Sequence, residues 1–233
     1  MYNDIKIKEP FFEIGPKAYC YGDEMLKLAK AADEASAKYD VQIILTPQYT
    51  DIPFIAGETK HLLVFAQHMD SLSIGRGQGS VLPEAIKYAG ADGIMLNHAE
   101  KRVSLAELNA AIKRANEVGL ATMVCADTIE EAVAIANLNP NIIAAEQPEL
   151  IGTGQTSDTD YFKRAIEAVH SVNPEIKVLT AAGISNGDDV YNVIKKGASA
   201  TGSSSAIFKA EDPAQMIEDM ISAVRRAWDE RHK

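Results

Sequence analysis

One acidic side chain, Glu146, stands between an apolar run and a glycine-rich segment. The run Asn141 to Ala145 has the character of a buried strand, so Glu146 falls at the C-terminal end of that strand. The segment that follows ends in Gly152-Thr153-Gly154, whose backbone N–H groups can bind an anion and whose glycines can act as a hinge. This loop therefore combines a candidate base with a candidate anion site.

Two further groups with suitable chemistry also follow apolar runs. Lys17 comes after Phe11–Ile14, and His98 comes after Gly93–Leu96. Taken singly, these side chains are more often a solvated charge or a structural hydrogen-bonding group than a functional one. Together with Glu146 they form a set that can remove a proton next to a carbonyl: a carboxylate base, an imidazole that polarises the carbonyl, and an ammonium that stabilises the resulting negative charge.

The elements that must position these groups alternate regularly along the chain. Strand-like runs occupy Phe11–Ile14, Val41–Thr46, Leu63–Gln67, Gly93–Leu96, Ala121–Cys125, Ile142–Ala145, Val178–Ala181 and Ala200–Ser203. Helix-like stretches occupy Asp23–Lys38, Asp51–Glu58, Leu82–Ala89, Leu105–Val118, Ile129–Asn137, Asp160–Val172, Asp188–Lys196 and Pro213–Asp229. Eight such β–α units predict a parallel sheet closed into a (β/α)8 barrel of the α/β class, a single TIM-barrel domain over residues 1–233. In such a barrel the residues after the strands share one mouth.

Composition excludes several classes of function. The net charge of −10 argues against nucleic acid as a general partner, and no run approaches the roughly 20 apolar residues of a membrane span. The polar start of the chain does not resemble a signal peptide. Cys20 and Cys125 have no metal-ligand spacing and are predicted to be buried and reduced, as in a cytoplasmic protein.

Several segments, in order along the chain, resemble the short archaeal-type branch of the triosephosphate isomerase family. The similarity extends from about Glu9 to Met220 and is strongest in Val64–Asp70, Leu82–Ala85, Asn97–Glu100, Thr122–Cys125, Pro148–Gly154 and Ala182–Ser185. The resemblance implies a cytoplasmic enzyme of glycolysis and gluconeogenesis that interconverts dihydroxyacetone phosphate and glyceraldehyde 3-phosphate through an enediolate. It also implies roles for four residues: Lys17 as the electrostatic lysine, His98 as the electrophile, Glu146 as the base and Glu100 as a supporting glutamate.

A phosphate site is predicted where barrels of this kind often hold one, in the loops after strands 7 and 8. The candidate residues of these two loops are Gly183, Ser185, Ser204, Ser205 and Ala206, and Gly152 of the loop after strand 6 is added to them. The alternative is that these glycines and serines are ordinary turn residues. No metal or organic cofactor is predicted, because proton transfer next to a carbonyl needs neither. His68 and Asp70 are expected to make a structural polar contact, since no third ligand is evident.

The chain departs from the pattern usual in the family at several positions near the presumed site. It has Gly15 for asparagine, Pro16 for a bulky apolar residue, Gln78 for threonine, Ala99 for serine, Gln147 for proline and Ala206 for glycine. The changes at Gly15 and Ala99 predict a looser pocket, which Gln78 of a neighbouring subunit could partly refill. Weaker activity on trioses and some tolerance for a four-carbon ketose phosphate are therefore expected.

Two other functions remain open from the sequence. One is a paralogue that isomerises a phosphorylated tetrulose such as erythrulose phosphate, and the other is a catalytically silent phosphate-binding barrel. The long loop Ser71 to Ser80 resembles the family's interdigitating loop, which implies a homodimer or a homotetramer.

Overall fold

Eight short parallel strands form the centre of the molecule. The structure, a computed structural model, describes residues 1–147, 159–181 and 183–233. The strands are β1 (Phe11–Ile14), β2 (Gln42–Leu45), β3 (Leu62–Ala66), β4 (Gly93–Leu96), β5 (Ala121–Ala126), β6 (Ile142–Ala145), β7 (Lys177–Leu179) and β8 (Ala200–Ser203). They lie in the order β7-β6-β5-β4-β3-β2-β1-β8, so the first strand pairs with both the second and the last. Phe11, for example, is in register with Gln42 on one side and with Ala200 on the other.

The edges of this sheet meet and nearly close the predicted barrel. The backbone N–H of Thr180, just after β7, donates to the carbonyl oxygen of Ala200 in β8 at 3.4 Å. Strand β8 was the weakest prediction from periodicity because its residues are small, yet all four are buried and the strand pairs with β1 along its length. Small residues are tolerated there because the strand is held by backbone pairing on its β1 side.

The helices follow the strands as the sequence predicts. They are α1 (Gly22–Tyr39), α2 (Ile52–Glu58), α3 (Pro83–Tyr88), α4 (Leu105–Val118), α5 (Ile129–Ala136), α6 (Thr159–Val172), α7 (Gly187–Lys195), α8 (Ser205–Phe208) and α9 (Pro213–Arg231). Every predicted strand and helix is present, with bounds that differ by at most two residues. The short α8 was not predicted, because a single turn has no periodicity to detect.

Local signals fix the helix that follows the His98 loop. Ser104 caps α4: its hydroxyl accepts from the N–H of Glu107, whose side chain in turn accepts from the N–H of Ser104. Gly119 ends the helix in the left-handed region, at φ 81°, where a glycine costs little. The start and end of α4 are therefore set by local chemistry as well as by packing.

Two separate hydrophobic clusters hold the barrel together. The larger lies between the strands and the outer helices, and the smaller fills the inside of the barrel. The interior cluster is formed by Phe11, Ile44, Phe65, Ala121, Met123, Cys125, Ile142, Ala144, Leu179 and Ala200. Ile5 and Ile7, which precede β1, pack against this interior cluster. The inside of the barrel is thus a packed core rather than a channel.

Two sequence expectations about the rest of the chain can be compared with the structure. Cys20 and Cys125 are both buried free thiols, as predicted. Over residues 1–147, 159–181 and 183–233, no helix is long and apolar enough to cross a membrane.

Candidate active site

A cavity of about 830 Å³ opens at the C-terminal ends of the strands. Lys17, His98, Glu100 and Glu146 all line it, although they come from the ends of three different strands. The predicted phosphate residues that line the same cavity are Gly183, Ser185, Ser204, Ser205 and Ala206. Gly152 lies outside the described residues, together with the rest of the Gly-Thr-Gly segment. The cavity therefore brings together the two groups of residues that the sequence singled out.

The backbone of Lys17 is held in an uncommon conformation. Its φ of 49° lies in the left-handed region, which costs a non-glycine residue roughly 1 kcal/mol or more. The side-chain amides of Gln48 and Gln67 both donate to the carbonyl oxygen of Lys17, the second at 2.9 Å. Gln67 also donates to the carbonyl oxygen of Thr46 at 2.9 Å. The loops after β2 and β3 thus fix where the lysine leaves the backbone.

The ammonium of Lys17 is directed by an ion pair. Its Nζ lies 2.7 Å from Oε1 of Glu100, and this hydrogen bond lowers the pKa of the glutamate below its ordinary value. The Glu100 side chain is 64% exposed, so the pair contributes little to stability. The ion pair instead orients Lys17, because it holds the lysine side chain beside His98 at the mouth of the cavity.

His98 is set up as a neutral hydrogen-bond donor. Its Nδ1 accepts from the backbone N–H of Glu100 at 3.1 Å, which leaves the proton of the neutral ring on Nε2. Burial and the nearby Lys17 charge lower the pKa of the imidazole. The preceding Asn97 is also in the left-handed region, at φ 60°, and its amide donates to the carbonyl oxygen of Cys125 at 3.0 Å. The His98 loop is therefore anchored to the end of the next strand.

Glu146 continues strand β6 into the cavity. Its N–H donates to the carbonyl oxygen of Ala126 at 3.0 Å, extending the ladder between β5 and β6. Burial raises the pKa of its carboxyl group to about 7, with a smaller increase from Asp127 and an opposing effect of Lys17. A carboxylate with a pKa near neutrality is a much stronger base than an exposed one and is still partly ionised at pH 7.

The cavity also contains a carboxyl group that the sequence reasoning missed. Glu13 lies in β1, points inside the barrel and is 8% exposed. Its Oε1 accepts from the hydroxyl of Thr46 at 2.9 Å. The signal available in the sequence was a single charge in the otherwise apolar run Phe11-Phe12-Glu13-Ile14.

The position of Glu13 corrects the expected picture of a looser pocket. The space beside Gly15 was predicted to be empty or to be refilled by Gln78 of another subunit. Instead, the Glu13 carboxyl group occupies it, since a Cβ placed on Gly15 would lie only 2.9 Å from Glu13 Oε1. Gln78 is exposed within its own chain.

The opposite side of the cavity has groups suited to an anion. The hydroxyl of Ser204 is buried and has no hydrogen-bond partner in the part of the chain that the structure describes. Gly183 has a φ of 79° and starts the loop that lines this side. The N–H of Ser185, by contrast, already donates to Asp189 Oδ2 at 2.9 Å. Lys209, which the sequence analysis did not select, adds a cation to the lining and lies 5.5 Å from the centre of the Tyr19 ring.

The other candidates make structural contacts. His68 Nε2 and Asp70 Oδ1 are 3.3 Å apart, and Asp70 Oδ2 accepts from the N–H of Val81 at 2.7 Å. Among the described residues there is no group of three or more potential metal ligands. Cys125 belongs to the barrel interior, where burial raises the pKa of its thiol well above the ordinary value.

Comparison with known proteins gives a consistent result. Residues 14–220 match the sequence model of a family described as triosephosphate isomerase. The chain is 41% identical over 227 residues to a triosephosphate isomerase of Methanobacterium bryantii, covering 95% of this chain and 100% of the relative. It is 36% identical over 230 residues to the one from Sulfolobus acidocaldarius, covering 97% and 99%.

A solved structure agrees at the level of the fold. The crystal structure of triosephosphate isomerase from Bartonella henselae superimposes with a TM-score of 0.76 at 16% identity, over 93% of this chain and 99% of that one. The fold class predicted from the sequence is thereby confirmed. The sequence matches to the two archaeal relatives cover nearly the whole of this chain and nearly the whole of each relative, and these matches establish the family. The chain belongs to the triosephosphate isomerase family.

Proposed function

We propose that this member of the family interconverts dihydroxyacetone phosphate and glyceraldehyde 3-phosphate through an enediolate intermediate. The observation that carries the proposal is the arrangement around one cavity of Glu146, His98 and Lys17, each in a state suited to a separate part of the reaction. Similarity to named isomerases over nearly the whole chain supports the same activity.

The proposed reaction begins with proton removal by Glu146. Its ionised carboxylate takes a proton from the carbon next to the substrate carbonyl, and the electron pair moves onto the carbonyl oxygen. The Nε2–H of His98 donates to that oxygen, and Lys17 stabilises its negative charge. Return of the proton from Glu146 to the neighbouring carbon, with transfer of a proton between the two oxygens through His98, completes the isomerisation. Glu100 acts on the reaction indirectly, by orienting Lys17.

The phosphate of the substrate is proposed to lie against the loops after β7 and β8. The backbone N–H groups of Ser205 and Ala206 offer donors there, and the buried, unpartnered Ser204 hydroxyl could join them by rotating towards the cavity. Gly183 lets the backbone approach closely. Lys209 adds positive charge to a protein with a net charge of −10. The N–H of Ser185 is engaged by Asp189, and its hydroxyl donates to the carbonyl oxygen of Gly183 over a longer distance of 3.4 Å. The hydroxyl is the group proposed to exchange this bond for one to the phosphate.

A substrate-panel assay tests this function. Isomerisation of dihydroxyacetone phosphate, glyceraldehyde 3-phosphate and the erythrulose phosphates is compared for the parent protein and for Glu146→Gln. Turnover of the trioses that falls at least about a hundredfold in Glu146→Gln is the expected result. No turnover of any triose by the folded parent protein would refute the proposal.

A homodimer or homotetramer is proposed as the working assembly. Most of the loop Ser71 to Ser80 is exposed, and the apolar side chain of Ile74 within it is 76% exposed. A second copy of the chain would cover it. Light scattering should give a mass of at least twice 25.2 kDa, and Ile74→Asp should lower it, whereas replacing the exposed Tyr88 on α3 by Asp should not. A monomeric parent protein at working concentration would contradict this assembly.

The compartment is proposed to be the cytoplasm. Two buried free thiols, Cys20 and Cys125, suit a reducing environment. Localisation of a tagged copy of the protein would test this directly, and export from the cell would contradict it.

A further inference from the structure

Glu13 is the carboxyl group in the active-site cavity for which the isomerisation above has no role. It lies one residue before the end of β1, in register with Ile44 of β2 and with Gly202 of β8. Its side chain points inside the barrel and forms part of the cavity's floor, beneath the rim where Lys17 is found. A charged group in the interior of a barrel is costly unless it is paired or neutral. Its presence there therefore needs a physical explanation.

Two glycines make room for this carboxyl group. A Cβ on Gly15 would lie 2.9 Å from Glu13 Oε1 and 3.3 Å from Oε2. A Cβ on Gly202 would lie 3.1 Å from Glu13 Oε2 and 2.8 Å from the Glu13 carbonyl oxygen. Position 202 is closed to larger residues by the Glu13 backbone, and at position 15 a larger residue would require the Glu13 carboxyl group to move. The glycine at position 15, where the family usually has asparagine, is accounted for by the glutamate two residues earlier.

The hydrogen bonds of Glu13 leave one oxygen atom open to the cavity. Oε1 accepts from the Thr46 hydroxyl at 2.9 Å, whereas Oε2 has no hydrogen-bond partner among the described residues. Oε2 lies on the side of Gly202, which itself lines the cavity. The group is therefore positioned to make one more hydrogen bond, to a molecule in the cavity.

The charges around Glu13 determine whether its carboxyl group is neutral or ionised, and therefore whether it donates or accepts this additional hydrogen bond. Lys17, Glu146 and Cys125 are the titratable groups that act on it or respond to it. Burial, and then the charge of Glu146, raise the pKa of Glu13 to about 8, while Thr46 and Lys17 act in the opposite direction. Glu146 must be ionised to remove a proton, and two neighbouring buried carboxyls do not ionise together readily. In the active form Glu13 is therefore a neutral acid, which can donate one hydrogen bond.

We propose that Glu13 is a substrate-contacting residue whose neutral carboxyl group donates a hydrogen bond, from Oε2, to an oxygen atom at the unphosphorylated end of the substrate. The phosphate is placed on the β7 and β8 side and the reacting groups at the rim, so the remaining end of the substrate points to the floor. Ala144, Met123 and Leu179 of the strands also line the cavity. The chemistry recognised is a hydroxyl or carbonyl oxygen of a phosphorylated sugar with three or four carbons. This assignment rests on the proposed isomerase function.

The test uses Glu13→Gln and Glu13→Ala, with Glu34→Ala, an exposed glutamate of α1, as the control. Rates on dihydroxyacetone phosphate and on the erythrulose phosphates are measured from pH 6 to 10, and folding is checked by thermal unfolding. Glu13→Ala should lower kcat/KM for the better substrate about ten- to a hundredfold, mainly through KM. Glu13→Gln should recover part of this loss, because an amide also donates.

The pH profile distinguishes substrate contact from a purely structural role. Activity of the parent should fall above about pH 8, where Glu13 ionises and can no longer donate, and this alkaline fall should be absent in Glu13→Gln. The substrate for which Glu13→Ala loses more identifies the chain length that the carboxyl group recognises. A folded Glu13→Ala protein within twofold of the parent on every substrate would overturn the proposal. An alkaline fall unchanged in Glu13→Gln would overturn it too.

A binding measurement distinguishes failure of the proposed Glu13 contact from failure of the proposed isomerase function. Calorimetric titration with dihydroxyacetone phosphate and with an erythrulose phosphate is performed on the parent and on Glu13→Ala. If the parent binds a sugar phosphate but does not isomerise it, the function fails, and a tenfold weaker binding by Glu13→Ala still supports the contact. Equal binding by the two proteins, or no binding by the parent, refutes the contact.

Discussion

The acid side of the pH–rate profile tests whether burial tunes Glu146 as a base. With a pKa of about 7, the carboxyl group is about 90% ionised at pH 8 and about 1% ionised at pH 5. The contribution of Glu146 ionisation to kcat/KM should therefore fall about 90-fold between these two pH values. With the ordinary value of 4.5, the fall would be less than about 1.5-fold. The two cases differ enough to be decided by initial rates in a coupled assay.

A substitution near Glu146 makes this test independent of the substrate's own titration. Asp127 raises the pKa of Glu146, so Asp127→Asn should move the acid limb to lower pH. Asp127 also pairs with Arg102 at 3.2 Å, and Glu131 pairs with the same guanidinium. Glu131→Gln is therefore the matched control, because it removes a partner of Arg102 without removing a charge that acts on Glu146.

The measured quantity is the ratio of variant to parent kcat/KM at each pH. This ratio cancels the titration of the substrate phosphate, whose second pKa is about 6. It should rise as the pH falls for Asp127→Asn and stay flat for Glu131→Gln. A flat ratio for both variants would refute the reasoning.

Three further predictions concern stability and cofactors. Gly15→Asn should lower the free energy of unfolding by about 1–3 kcal/mol through its clash with Glu13. The loss should be smaller when Glu13→Ala is also present. Additive effects of the two substitutions in a double-mutant cycle of urea unfolding would contradict the contact. Between pH 5 and pH 8 the folded state keeps a proton on Glu13 that the unfolded chain releases, so the free energy of unfolding of the parent falls as the pH rises. Glu13→Gln lacks this titration and should gain a few kcal/mol of stability relative to the parent over this range. The measurement is the difference in Tm between the two proteins, which should grow with pH. Activity should survive exhaustive treatment with a chelator, and loss of activity that one particular metal restores would show that the chemistry needs more than these side chains.

The helix cap provides a fourth measurement. Ser104→Ala removes the reciprocal capping bonds at the start of α4 and should cost about 1 kcal/mol, or about 2–4 °C in Tm for a chain of this length. An unchanged Tm would mean that packing alone fixes this helix.

The order of the elements was predictable because it depends on patterns within short windows. Apolar runs such as Ile142–Ala145 and amphipathic stretches such as Leu105–Val118 are recognisable without knowledge of their neighbours. The topology then followed from the alternation, and it placed Lys17, His98 and Glu146 at one mouth. The roles given to these residues, and the loop that contains Gly152, stay predictions.

Contacts between distant segments could not be predicted in the same way. Glu13 meets Thr46 and Gly202 only because β1 pairs with both β2 and β8, and that register is a property of the closed barrel. The two glutamines that hold the Lys17 carbonyl come from different loops and have no common sequence signal. From the sequence, Gly15 indicated only the loss of a side chain, whereas in the structure the Glu13 carboxyl group lies beside it.

The packing of Ile5 and Ile7 beneath the barrel has a consequence for isotope exchange. These side chains pack against the filled interior on the N-terminal side of the strands, whereas the cavity lies at the C-terminal ends of the strands. Within the described part of the chain, the route from Glu146 to water thus passes through the mouth, on the same side as the bound sugar. The deuterium content of product formed in heavy water is expected to report how completely the bound substrate blocks that route.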